Sequence, residues 1–121
     1  MIIAVDFDGV IAKYDGFKGK GKFGKPIDGA QAALTYFMMH DNTVIINTTR
    51  LEIDKVAEYL HEHNIPYDHI NYCPLNEERF LHPAKICADV YIDDRNVQFA
   101  GDWDHGFIDK VLNFSPWWKK K

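Results

Sequence analysis

The sequence predicts an α/β fold built on a parallel sheet. Short apolar or β-branched runs recur along the chain, helical stripes separate them, and three of the runs end in polar chemistry rather than in simple turns. Strands that alternate with helices argue for parallel pairing, because a parallel connection needs a crossover of about a dozen residues or more. At 121 residues, with 46% hydrophobic and 26% charged side chains, the chain is read as one domain over 1–121 with an ordinary core.

The elements follow in order. Met1 to Val5 is nearly all apolar, as a strand buried on both faces should be. Residues 9–25, "GVIAKYDGFKGKGKFGK", hold five glycines and five lysines with no helical or strand period, and read as a mobile loop or a small β-flap. Pro26, Ile27 and Asp28 lead into a helix, with Asp28 as its N-cap. Ala30, Ala33, Leu34, Phe37 and Met38 give that helix an amphipathic stripe. Thr43 to Asn47 is a second strand, followed by Thr48-Thr49-Arg50. A second helix carries Ile53, Val56, Ala57 and Leu60 on one face and stops at Asn64, before Pro66. "PYDHINYC" reads as a third strand and residues 74–84 as a loop or short helix. "ADVYIDDRN" reads as a fourth strand ending in acids, and Phe107 to Phe114 as a closing helix.

Composition excludes several function classes. A net charge of −4 and a pI near 5.8 argue against a general polyanion-binding surface. Cys73 and Cys87 form no CxxC pair, which suits free thiols in a reducing compartment. The first apolar run is too short for a signal segment or a membrane span, so the expectation is a cytoplasmic protein without a membrane partner.

In open parallel sheets, ligands bind beyond the carboxyl ends of the strands. Asp6-Phe7-Asp8, Thr48-Thr49-Arg50 and Asp93-Asp94 would converge there, with Lys85 eight residues before Asp93. Two carboxylates about 4 Å apart repel by roughly 4 kcal/mol at an effective dielectric near 20. Such a cluster therefore holds a proton or a cation. Oxygen ligands favour a hard divalent ion, with Mg2+ the default, and no Cys/His cluster has zinc spacing. Each fragment alone has a plainer reading, such as an Asx turn, a strand end, a helix cap or a solvated lysine. Their order along the strand ends favours a single site.

On Asp6-Phe7-Asp8-Gly9-Val10 after an apolar strand, Thr48 after "VIIN", Lys85, and Asp93-Asp94 after "VYI", the chain resembles the phosphatases of the haloacid dehalogenase superfamily. The resemblance covers nearly the whole chain and is nearest to small bacterial and phage members ending in Ile-Asp-Asp-Arg-Asn. It implies a Rossmann-like three-layer sandwich with a short flap over about 9–25 and no cap domain. It also implies that Asp6 attacks phosphorus to form an aspartyl-phosphate, and that Asp8 serves as acid and base. Thr48 and Lys85 would bind the phosphoryl oxygens. Asp6, the backbone carbonyl of Asp8, Asp93 and Asp94 would hold Mg2+.

Gly9, Thr49, Arg50 and the flap residues Lys18, Lys20 and Lys22 are the candidates for substrate binding. Arg50 matches an arginine of polynucleotide kinase-type phosphatase domains, where Ser-Gly-Arg stands in place of Thr48-Thr49-Arg50. An open site suits a phosphorylated small molecule or a phosphorylated nucleic-acid end, or takes another subunit as a lid in a homo-oligomer. The competing reading is a phosphoacceptor module on the same fold, although a receiver domain places its acids and lysine in a different order. Trp117 and Trp118, in "PWWKKK", cover the core edge or make a partner contact.

Overall fold

Parallel pairing is what the strands adopt. The computed structural model describes residues 1–74 and 85–119. Within them run β1 (Ile2–Val5), α1 (Ala30–Met39), β2 (Thr43–Ile46), α2 (Ile53–Glu62), β3 (His69–Ile70), β4 (Val90–Ile92) and α3 (His105–Leu112). The strands form one four-stranded sheet in the order β3-β2-β1-β4, and every pair is parallel. This is a Rossmann-like α/β fold, and no cap domain is present among the described residues. The expected loop or short helix at 74–84 falls almost wholly outside them. None of the described helices is long and apolar enough to cross a membrane.

Register positions the functional edge. Val5 lies opposite both Ile46 and Ile92, and Ile46 lies opposite Ile70. The first residues past the strands, Asp6, Asn47, Asn71 and Asp93, therefore emerge at one level. Three of them extend the ladder: the amides of Asp6, Asn47 and Asn71 donate to Ile92, Val5 and Ile46 at 2.8, 2.8 and 2.7 Å.

Strand alternation buries both faces. Ile3, Val5, Val44 and Ile46 pack with Leu34 of α1 and with Val56, Tyr59 and Leu60 of α2. On the other face, Ala4 and Ile45 pack with Cys73 and Ile86, with Tyr91 against them. Cys73 and Cys87 form no disulfide.

Three local expectations are corrected. The N-cap of α1 is Gly29, not Asp28, and no side chain caps the helix. Gly29 turns the chain at φ 90°, a left-handed conformation that glycine takes without steric cost, so the backbone enters the helix one residue later. The α1 stripe is also narrower than its spacing suggests, because Leu34 is buried but Ala33 remains exposed. The closing helix starts earlier than Phe107, because the Asp104 side chain accepts from the Phe107 amide at 2.8 Å and sets the first turn.

The flap is pinned to the core rather than loose. Phe7, Phe23 and Tyr59 meet edge-to-face with centroids 5.1 to 5.5 Å apart. The Tyr59 hydroxyl donates to the Gly24 carbonyl at 2.7 Å. Phe7, one corner of this triangle, is fully buried. Its replacement, Phe7→Ala, is expected to lower stability by about 3–5 kcal/mol, measured as a shift in the urea midpoint at unchanged slope.

Candidate active site

A cavity of about 640 Å³ opens at the carboxyl edge of the sheet, lined among others by Asp6, Asp8, Thr48, Thr49, Asp93 and Asp94. These are six of the residues expected there. Side-chain oxygens of Asp6, Asp93 and Asp94 lie within 4.8 Å of one another. Asp6 leaves the end of β1, and its Oδ1 accepts from the Phe7 amide at 2.8 Å. Asp93 is exposed beyond β4, with Oδ1 accepting from the Arg95 amide at 2.9 Å. Asp94 is buried, at 8% exposure.

Close carboxylates cannot all carry charge without compensation, and here the proton settles unevenly. Burial, the hydrogen bond to Asp94 and the charge of Asp93 push the Asp6 carboxyl from 3.8 up to about 8. Burial works against ionised Asp94 too, but hydrogen bonds from Asp6 and the Trp118 indole outweigh it and hold its carboxyl below the usual range. A three-carboxylate set with one acid forced to keep its proton suits a hard cation with oxygen ligands, which would relieve the same repulsion.

Asp8 is compensated by a different partner. Arg50, 6% exposed, donates from Nε to Asp8 Oδ2 at 2.7 Å and from Nη2 to Oδ1 at 3.0 Å. Its remaining donors reach Gly19 O at 3.1 Å, Lys22 O at 3.2 Å and Glu52 Oε1 at 3.1 Å. The guanidinium also lies 5.1 Å from the Phe17 ring centroid and 4.8 Å from that of Phe23. All five N–H groups are thus spent inside the protein. The expectation that Arg50 contacts substrate is corrected: it ties the flap to the acid site and orients Asp8.

The other candidates divide. Thr48 and Thr49 reach the cavity, and Asn71 fixes Thr48 there. Asn71 Oδ1 accepts from the Thr48 amide and its Nδ2 donates to the Thr48 carbonyl, both at 2.8 Å. Gly9 serves conformation rather than substrate. It turns at φ 83°, its amide donates to Ala12 O at 2.8 Å, and its carbonyl accepts from Trp117 Nε1 at 2.8 Å. Lys18 and Lys22 line a separate cavity on the flap, and the exposed Lys20 lines neither. Lys85 is not among the lining residues either, and its ammonium lies 4.9 Å from the Tyr91 ring centroid. Tyr14, Asn71 and Arg95 line the cavity without having been singled out from the sequence. For Asn71 the available signal was its place just beyond an apolar strand. Tyr14 had none within the glycine-lysine run.

Two expectations follow. Arg50→Ala leaves the partly buried Asp8 without its partner and should cost about 1–3 kcal/mol by denaturant unfolding. Arg50→Lys should not restore the loss, because one ammonium cannot span five acceptors, and both variants should speed tryptic cleavage at the exposed flap lysines. The second concerns pH in metal-free protein. The folded-state pKa of Asp6 is raised, so its contribution is fully present below about 4 and is lost as pH rises towards about 8. Unfolding free energy should fall by at least about 1 kcal/mol over that window, and Asp6→Asn should flatten the profile.

No family model matches the chain, and no curated protein matches it. A solved structure, that of a conserved protein coded by a locus of Bacteroides thetaiotaomicron, is similar at 29% identity with a TM-score of 0.67. The match covers 93% of this chain and 88% of that one.

Proposed function

We propose that the protein is a phosphatase of the haloacid dehalogenase type that hydrolyses a phosphomonoester with Mg2+. The observation that supports this best is the meeting of Asp6, Asp93 and Asp94 oxygens within 4.8 Å in a cavity that Asp8 and Thr48 also line. Asp6, Asp93, Asp94 and the backbone carbonyl of Asp8 would hold the ion. When bound, Mg2+ would neutralise charge on the carboxylates and on a phosphoryl group.

The chain's own groups supply the remaining steps. An ionised Asp6 oxygen forms a bond to phosphorus as the ester oxygen leaves with the bonding pair, giving an aspartyl-phosphate. Water then breaks that bond and releases inorganic phosphate. Asp8 carries the proton, first to the departing oxygen and then from the attacking water. A carboxylate has about four lone-pair sites, so the two bonds from Arg50 fix the orientation of Asp8 and leave capacity for that proton. Thr48, held at both backbone groups by Asn71, presents its hydroxyl to the phosphoryl oxygens.

The open cavity and the absence of a cap among the described residues favour a phosphorylated small molecule or a phosphorylated chain end. The flap lysines stand outside the cavity, which weighs towards the small molecule.

Turnover of p-nitrophenyl phosphate tests the reading. Activity is expected with Mg2+ and should vanish with EDTA. Asp6→Asn should reduce it to background, and Asp8→Asn should slow it by about 100-fold or more. Turnover that survives Asp6→Asn would remove the nucleophile assignment. One stable phosphoryl group per chain without turnover would favour the phosphoacceptor module.

A further inference from the structure

The last described residues of the chain return to the acid site. Trp118 Nε1 donates to Asp94 Oδ2, and its ring meets the edge of Tyr14 at 4.9 Å and an 87° angle. The Arg95 guanidinium lies 5.4 Å from the centroid of the same ring. One residue earlier, Trp117 Nε1 donates to the Gly9 carbonyl at 2.8 Å. The partners come from the turn after β1, from the flap and from the end of β4.

A second observation shows that this seam is closely fitted. A Cβ placed on Gly9 would stand 2.3 Å from Asp94 Oδ2 and 3.0 Å from Trp118 Nε1. Gly9 backbone, Asp94 carboxylate and Trp118 indole are therefore in mutual contact, with no room for another atom. Trp117 is otherwise 66% exposed, and α3 just before it has no buried residue.

We propose that the C-terminal segment is a structural part of the site, with Trp118 the positioning residue for Asp94; this rests on the reading of Asp94 as a member of a cation-holding set. The indole occupies one carboxylate oxygen and fixes the rotation of a group that lies within reach of Asp6 and Asp93. Outer hydrogen bonds of this kind orient ligating carboxylates, and their loss commonly lowers metal affinity by about 10- to 100-fold. Coupling is reciprocal, so an ion among the three acids also changes the surroundings of the indole.

Calorimetric titration of the full chain with Mg2+ alone, beside NMR of the 15N-labelled indoles, tests this. Trp118→Phe keeps a ring but loses the donor, and should weaken Mg2+ binding by about 10-fold while the far-UV spectrum stays unchanged. Asp94→Asn should move the Trp118 indole resonance and leave that of Trp103 in place. A Trp118→Phe protein with wild-type Mg2+ affinity would overturn the proposal, as would a Trp118 resonance indifferent to Asp94→Asn. If the unaltered protein binds no Mg2+, the cation reading of the site falls, and the indole resonance alone then decides whether the tail is joined to Asp94.

Discussion

Charge compensation at the carboxyl edge of the sheet is the constraint on which the other features depend. Parallel register brings Asp6 and Asp93 out at one level, and the following turns add Asp8 and Asp94. Four carboxylates in one cavity cannot remain bare. Asp8 takes a guanidinium, Asp94 takes an indole N–H, the Asp6 carboxyl is pushed up to about 8, and Asp93 stays in contact with solvent. Each solution recruits a different part of the chain, so the flap and the tail are held by the same electrostatics that shape the site.

The Arg50 arrangement shows why burial of a charge is tolerable here. Removing a guanidinium from water is costly, and Coulomb attraction to one carboxylate does not necessarily offset it. Five hydrogen bonds and two aromatic neighbours replace the lost hydration. Two of those bonds end on flap carbonyls, which turns a glycine- and lysine-rich segment into a defined wall. A glycine- and lysine-rich loop acquires order from a cation donated by the loop after β2.

Much of the fold is legible in the residues themselves. The apolar run to Val5, the β-branched run to Ile46 and "VYI" all form strands, and the spacing of Val56 and Leu60 places α2 on the core. The meeting of Asp6, Asp8, Thr48, Asp93 and Asp94 is legible too, because residues just beyond parallel strands share one edge. Arg50 misleads for the same reason: its position beside Thr48 fits an outward role, and nothing local reveals that four of its five acceptors come from distant segments. Asp28 misleads because it and Gly29 are both acceptable N-caps, and the left-handed turn at Gly29 starts the helix one residue later.

The sequence by itself determined which strands exist, that they are parallel, and which acids end them, since periodicity and strand polarity are local properties. Only the tertiary structure decided how those acids are balanced. Arg50 is 42 residues from Asp8, and Trp118 is 24 from Asp94, so these partnerships depend on where the flap and the tail come to rest. Hydrogen-bond saturation is a property of the assembled surroundings, and it separates an arginine that holds the protein together from one that would hold a substrate.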